Sequence, residues 1–349
     1  MADNGTDIER AGEYARGHIA RWHRICAGTG TCSRTREEWA SRRRTVRRVR
    51  DQNVRPREVR KTVTEVKRHP IEVTMFAGRE REYRGYLAEH LPRLPERPDN
   101  LYYVHTLAKA LLGVLLIEDP QAGTDATQRA ARLTEQVATG QFWVSASYFE
   151  NGAEPIELRF GDTVHRIPSG LDKSADTGGW LTAFWWSMIA RDAASADMLA
   201  HYDVARLRNT GGVADEFQYE WVASLQQAHL SSPLEVADRV RAIETTSAIG
   251  AQQVVDNLIE PAVAVFLAIA DSDQKRFDAL LAQALKRHRK YFGAGKKRTS
   301  LDGFLSVPLL GLACWARDRG LQVDVESEYI PKGFIENPNW MRTLDTVAS

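Results

Sequence analysis

The sequence predicts an all-α protein, a multi-helix array of antiparallel helices with one small inserted β-hairpin. From Arg79 onward, apolar residues recur three and four apart in most segments, as the buried face of a helix requires. Connectors rich in Pro, Gly and Asp separate these segments. Residues 154–169 interrupt the series of helices, because they alternate with a period of two on either side of a turn.

The composition is typical of a globular protein, with 43% hydrophobic and 27% charged residues among 349. The net charge of +1 hides an uneven distribution, because Arg34–Arg68 contains 14 Lys and Arg against five Asp and Glu. This basic block therefore carries about +9 and the rest of the chain about −8. We expect an N-terminal helical segment at residues 1–70, which contains the basic block, and a helical domain at residues 71–349, unless the two form one continuous domain.

The chain shows no feature of a secreted or membrane protein. Three cysteines do not form a disulfide framework, and the polar N-terminus is not a signal peptide. The longest apolar runs, Leu111–Ile117 and Ala262–Ala270, are shorter than the roughly 20 residues that span a bilayer. We therefore expect a cytoplasmic protein with no membrane partner.

The N-terminal residues contain one set of side chains of metal-ligand type. A helix is predicted at Thr6–Cys26, followed by a Gly- and Thr-rich loop. The set comprises His18, His23, Cys26 and Cys32. It contains neither two histidines four residues apart nor a Cys-x-x-Cys pair, so we expect no bound metal.

The basic block at Arg34–Arg68 has two interpretations. A narrow apolar stripe with cations elsewhere is compatible with binding along nucleic acid or an anionic surface. No zinc-finger spacing or aromatic RNA-binding consensus accompanies it. The other interpretation is a peripheral helix pair whose long Arg side chains cover the core.

The middle of the chain predicts a series of helices around a central one. Trp180–Ala194 is apolar over so wide an arc that it is expected in the centre, with Asp176 as a capping residue. The hairpin Glu154–Ser169 turns at Gly161 and Asp162. The other predicted helices are Arg79–Leu91, Asn100–Glu118, Thr124–Ala138, Asp215–His229, Pro233–Thr245, Val254–Ala270 and Ser272–Phe292.

The stretch Leu301–Pro331 predicts a buried helix followed by an extended segment. Pro308 indicates a kink or a late helix start, and Gly320 a helix end. Leu321, Val323 and Val325 then alternate with polar residues. The alternation places Asp324, Glu326 and Glu328 together on the surface; we call these three residues the acidic strip. The strip is either a solvated edge or a binding surface for a basic partner.

A search for catalytic chemistry finds no motif. The sequence has no phosphate-binding glycine loop, no His-Glu-x-x-His and no Gly-x-Ser-x-Gly. Cys314 lies among apolar residues, as an inert core thiol does. The histidines are scattered along the chain, at positions that include His105, His165, His201, His229 and His288. We predict no catalytic residues, no cofactor and no enzymatic activity.

Four motifs in order, PIELRFGDTVHRIP, GGWLTAFWWSMIARD, EFQYEWVASLQQA and GFLSVPLLGLACWARDRGLQVDVESEYIP, resemble the immunity protein 49 family of bacterial polymorphic toxin systems. The resemblance covers about residues 100–332 and excludes the basic block. It implies an all-helical protein that binds and silences a toxin made by the same cell, and it implies no catalytic residues. The matching positions are Trp180, Ala183, Arg191, Asp192, Trp221, Pro308, Ala313, Asp318, Gly320, Glu326, Tyr329 and Pro331; we interpret most of them as scaffold.

Three functions remain open at this point. The first is an immunity protein whose surface, with the acidic strip as the candidate contact, blocks a cognate protein toxin encoded nearby. The second is a nucleic-acid-associated regulator that acts through the basic block. The third is an enzyme of unrecognised class on a helical scaffold. The sequence does not give the oligomeric state.

Overall fold

The computed structural model describes residues 63–210 and 212–347. Thirteen helices and four short strands within these ranges confirm the predicted all-α class with a small hairpin. The helices are α1 Arg79–His90, α2 Leu101–Glu118, α3 Asp125–Asn151, α4 Thr177–Ala190, α5 Ala193–Ala200, α6 Val204–Asn209, α7 Glu216–Leu230, α8 Pro233–Arg241, α9 Gln252–Ala270, α10 Gln274–Phe292, α11 Val307–Asp318, α12 Lys332–Glu336 and α13 Trp340–Val347. The strands are β1 Thr64–Glu65, β2 Pro155–Phe160, β3 Thr163–Pro168 and β4 Val325–Glu326.

The predicted helix Thr6–Cys26, the set His18, His23, Cys26 and Cys32, and the basic block up to residue 62 lie outside the described residues. The described body begins at Val63, and Val66, Arg68 and His69 are already buried in it.

Helix α4 occupies the centre of the fold, as its wide apolar arc predicts. The Asp176 side chain accepts a hydrogen bond from the Gly179 backbone N–H (2.8 Å) and so caps its first turn. Helices α3, α5, α7 and α11 pack around it. Its aromatic side chains form a continuous buried cluster with residues of α7, α9 and α11, namely Trp180, Phe184, Trp185, Trp221, Phe266 and Trp315. The cluster is core packing, which is the more common role of such aromatic residues.

Three predicted helix ends were wrong. The helix expected at Pro233–Thr245 ends at Arg241. The helix that was expected to continue to Ala194 stops at Ala190, because Arg191 adopts a left-handed backbone conformation (φ 55°) and Asp192 then caps α5. Helix α3 was expected to end at Ala138 but continues to Asn151. Gly140 has a low helix propensity, which favours an earlier helix end. The helix nevertheless continues through it, and the missing side chain leaves room for the hairpin, since a Cβ at this position would lie 3.0 Å from the Phe160 ring.

The hairpin forms as predicted. Strands β2 and β3 pair antiparallel with Phe160 opposite Thr163, which leaves Gly161 and Asp162 as the two-residue turn. Gly161 has a φ of 61°, and its N–H donates to the Gln136 side chain of α3 (2.7 Å). Phe160 and Ile167 are buried, so one face of the hairpin completes the core beside α3.

Helix α9 contains a π-helical turn at Val255–Ile259, directly before Pro261. Proline lacks the N–H that an α-helix would use, and a π turn accommodates that loss. Two helices, Pro98–Glu118 and Gln252–Ala270, are long and apolar enough to cross a membrane by length and composition. The uninterrupted apolar runs within them are shorter, so the sequence did not predict a membrane span. Their apolar windows are 61% and 56% buried inside the body, and core helices meet the same criterion.

The closing stretch also follows its prediction. Helix α11 begins at Val307 with Pro308 in its first turn, so the proline marks a late start rather than a kink. Gly320, with a φ of 94°, ends the helical region, and Leu321 N–H donates back to the Ala316 carbonyl (3.0 Å). The chain then enters the extended segment that carries the acidic strip.

Candidate functional site

From Asp324 to Tyr329 the segment after α11 alternates between half-exposed and buried residues, whereas Val323, which was expected on the buried face, is half-exposed. Val325 and Tyr329 are buried, as is Ser327 between them. The acidic strip, Asp324, Glu326 and Glu328, occupies the half-exposed positions. The predicted alternation is therefore confirmed from Asp324 onward but not at Val323, and the three carboxylates share one face of the segment.

Helix α10 holds one edge of this segment through side chains. Gln274 donates to the Gln322 carbonyl (2.9 Å) and accepts from the Gln322 N–H (2.7 Å), so one amide satisfies both backbone groups. Two residues further along, the Asp324 N–H donates to an oxygen of Asp278 (3.3 Å). These bonds replace a neighbouring strand on this edge.

Strand β1 occupies the other edge. Thr64 N–H donates to the Asp324 carbonyl (3.3 Å) and Val66 N–H to the Glu326 carbonyl (2.9 Å), in a parallel ladder. The register places Glu65 directly beside Glu326. Glu65, on the strand that joins the basic block to the body, therefore extends the acidic strip; we call the four residues together the acidic face.

Glu65 and Glu326 place two negative charges at paired positions of neighbouring strands. Like charges directly opposite in neighbouring strands destabilise a sheet. Each carboxylate has one lysine: Glu326 binds Lys332 at 2.6 Å, and Glu65 lies 3.8 Å from Lys67. The side chains of Glu65 and Glu326 nevertheless remain 60% and 45% exposed. A cationic group of a partner could therefore approach both at once.

Arg68 links the acidic face to the core. Its guanidinium donates to the Leu116 carbonyl and to the Glu328 carbonyl, both at 3.0 Å, and its Nε lies 3.7 Å from a Glu328 carboxylate oxygen. Burial lowers the pKa of Arg68, while Glu328 opposes that shift. Since a buried cation needs its partner, Glu328 has an internal role. Asp324 and Glu326 have internal contacts too.

A hydrogen-bonded group behind the acidic face fixes β1 to the closing segment. The Tyr329 hydroxyl accepts from the His69 backbone N–H (2.8 Å) and lies 2.8 Å from His69 Nδ1. The Arg298 carbonyl can only accept, so His69 Nε2 donates to it (3.2 Å), and Nδ1 of the neutral ring then accepts from the Tyr329 hydroxyl. The ring of His288 packs against Tyr329 with its centroid 4.6 Å away. The rigidity of this group holds the acidic face in place.

The positions that carry the family resemblance divide into scaffold and surface. Arg191 bonds the carbonyls of Ile189, Phe334 and Ile335 and the carboxylate of Asp318, and so ties α4 to the ends of α11 and α12. Most of the other matching side chains are buried, as that interpretation predicted: Trp180, Ala183, Trp221, Ala313, Tyr329 and Pro331. Three matching carboxylates are not buried: Asp192, Asp318 and Glu326. Asp192 caps α5 and Asp318 pairs with Arg191, whereas Glu326 lies on the acidic face.

The described residues contain no set of three or more His, Cys, Asp and Glu side chains arranged to hold a metal ion. Cys314 is buried, and this burial raises its pKa to about 12, so the thiol is protonated at neutral pH. Of the five scattered histidines, His229 pairs with Asp197 (2.6 Å), and His105 and His288 lie in the core. The described histidines and thiol thus form no nucleophilic arrangement.

Sequence reasoning missed three contributors to this surface: Glu65, Arg68 and Lys332. Glu65 and Arg68 were assigned to the basic block, and only the pairing of β1 with β4, about 260 positions apart in sequence, brings them here. Lys332 could have been found from the sequence, because it lies only six residues after Glu326 and begins α12.

Comparison with known proteins gives one match. The family model described as immunity protein 49 matches residues 119–334. No curated protein and no solved structure matches the chain. The matched range includes α3 to α11, the hairpin and the acidic strip, whereas β1, α1 and α2 lie before it.

Proposed function

Because this chain belongs to the immunity protein 49 family, we propose that it is a non-catalytic immunity protein that binds and blocks a cognate toxin in the cytoplasm of the cell that makes both. The observation that carries the proposal is the acidic face. Its carboxylates are held in fixed positions by β1, α10 and Arg68, and two of them are adjacent despite their equal charge.

An arrangement that costs stability is typical of a functional site. Adjacent carboxylates are relieved when a lysine or arginine of a partner lies between them, since charge-assisted hydrogen bonds form at both. A complementary basic toxin surface would also be attracted over distance, which raises the association rate. We therefore infer a partner with a basic contact surface, as toxins that act on nucleic acid commonly present.

The alternative function, nucleic-acid association through Arg34–Arg68, concerns residues that are mostly outside the described ranges. In the described part of the block, Lys67 lies 3.8 Å from Glu65, and Arg68 is buried. Of these two cations, Arg68 has an internal role, whereas Lys67 remains 73% exposed. The internal role of Arg68 favours the immunity function. The contribution of the remaining basic residues stays a prediction, as does the division of the chain near residue 70.

Charge reversal tests the role of the acidic face. In the double variant Glu65→Lys/Asp324→Lys, we expect association with the toxin to slow roughly tenfold at low ionic strength and less in high salt, because steering by charge is screened. Stopped-flow association kinetics measure this effect. Melting temperatures show that the variant is folded.

Two controls sharpen the test. Glu96→Lys/Glu154→Lys makes the same change of charge at exposed positions outside the acidic face, and should leave association nearly unchanged. Exchanging Glu326 and Lys332 keeps their ion pair but moves the negative charge, so association should slow while stability is retained. Equal rates for all variants would show that the acidic face does not contact the toxin.

A further inference from the structure

A pocket of about 230 Å³ lies between α2, α4, the π turn of α9, α10 and the start of α11. Its wall is largely apolar, and the apolar side chains in it include Leu112, Leu116, Leu258, Phe292, Leu305 and Leu309. Lys109 and Asp302, which also line the pocket, form an ion pair of 2.8 Å with partly exposed side chains. The pocket thus combines an apolar interior with one charged pair that solvent reaches.

The size of the pocket restricts its occupant. Pockets for ordinary small-molecule ligands measure roughly 300–1,000 Å³. An apolar cavity of roughly 150 Å³ already takes up a benzene molecule. A volume between these limits fits one aromatic ring with a short substituent.

The wall carries one unsatisfied polar atom. The Nε1–H of Trp186 is buried and has no hydrogen-bond partner within the described residues. Buried donors of this kind are rare in folded proteins, because an unpaired N–H costs free energy. An occupant with an oxygen near this nitrogen, such as a tyrosine hydroxyl or a backbone carbonyl, would satisfy it.

The pocket adjoins the acidic face. A single guanidinium, that of Arg68, bonds both the carbonyl of Leu116 in the pocket wall and the carbonyl of Glu328 in the acidic strip. On the other side, Ser306 in the wall donates its N–H to the Tyr329 carbonyl (2.9 Å). A single residue therefore separates the pocket wall from the acidic strip at two points, namely Arg68 at the first and Tyr329 at the second.

We propose that this pocket receives a single aromatic side chain of the toxin, next to the basic residues that contact the acidic face. This inference rests on the proposed function. Protein interfaces gain most of their affinity from a few large side chains in well-packed pockets, surrounded by polar contacts. The pocket supplies such an anchor site, and the acidic face supplies the polar surroundings.

Variants that fill the pocket test the proposal. Val307→Trp and Leu258→Trp each place an indole at a half-buried position of the lining. We expect both to weaken toxin binding at least about 30-fold, the loss typical of an anchor residue. The matched control is Leu234→Trp, on α8 outside the pocket and 66% exposed, which should bind like the wild type. Binding of the filled variants at wild-type affinity would overturn the proposal.

A second measurement needs no toxin. Millimolar indole should shift the methyl resonances of Leu112 and Leu309 in the wild-type protein and leave them unshifted in Val307→Trp. If no indole shift occurs at these leucines, the pocket does not accept an aromatic ring and the inference fails. If indole binds but the wild type does not bind the toxin, the proposed function fails instead. The two failures are thus distinguishable.

Discussion

Lowering the pH below about 6.5 is expected to destabilise the folded protein, by about 1.4 kcal/mol per pH unit for each of two buried histidines. Burial lowers the pKa of His105 to about 3 and that of His288 to about 4. Since the unfolded chain binds these protons near pH 6.5 and the folded chain does not, stability is present above pH 6.5. It is lost progressively as the pH falls towards the folded-state values.

Glu135 acts in the opposite direction. It is buried, and burial together with neighbouring Asp192 raises its pKa well above the usual range. The folded protein therefore keeps a proton on Glu135 that the unfolded chain releases above about pH 4.5, so this residue stabilises the fold as the pH falls. Glu135→Gln should consequently make acid destabilisation steeper, by about 1.4 kcal/mol per pH unit.

Urea unfolding at several pH values between 4.5 and 7 measures these slopes. His288→Gln keeps a donor for the Gly303 carbonyl. It should make the free energy of unfolding less dependent on pH, by the slope that one proton contributes. A stability that does not change with pH in the wild type, in Glu135→Gln and in His288→Gln alike would contradict the assigned protonation states.

Replacement of Arg191 by methionine is expected to cost about 3 kcal/mol of folding free energy, since charged hydrogen bonds contribute roughly 1.5–3 kcal/mol each and their loss leaves buried acceptors unpaired. The guanidinium serves three backbone carbonyls and Asp318, and its side chain is only 15% exposed. Methionine keeps much of the apolar length, so the lost bonds dominate the effect. Chemical denaturation measures the change.

The matched control is Arg208→Met. Arg208 pairs with Glu216 at the surface, where an ion pair contributes about 0–1 kcal/mol. A loss for Arg191→Met no larger than that for Arg208→Met would show that the link from α4 to α11 and α12 is not important for stability.

The parts of the fold that depend on local signals were predictable from the sequence. Gly161 and Asp162 between alternating residues fixed the hairpin, because a two-residue turn determines the register of both strands. Pro308 and Gly320 bounded α11 for equally local reasons. The alternation after Gly320 correctly placed Asp324, Glu326 and Glu328 on one face.

The parts that depend on tertiary contacts were not predictable. Gly140 does not end α3, because the hairpin packs against it, and Arg191 interrupts the predicted helix because distant carbonyls bind its side chain. The short helices α5, α6, α12 and α13 carry too little periodic pattern for a separate prediction. The pairing of β1 with β4 involves only two residues of each strand, which is too short to give a recognisable sequence pattern. The position of Glu65 on the acidic face was therefore not predictable.

Coexpression with the product of a neighbouring gene, where we expect the toxin to be encoded, tests the central claim most directly. The claim predicts that the wild-type protein restores growth of cells that make the toxin, and that the two proteins co-purify as a stable complex in which toxin activity is lost. A toxin that stays fully active and unbound in the presence of an excess of the folded wild-type protein would contradict it.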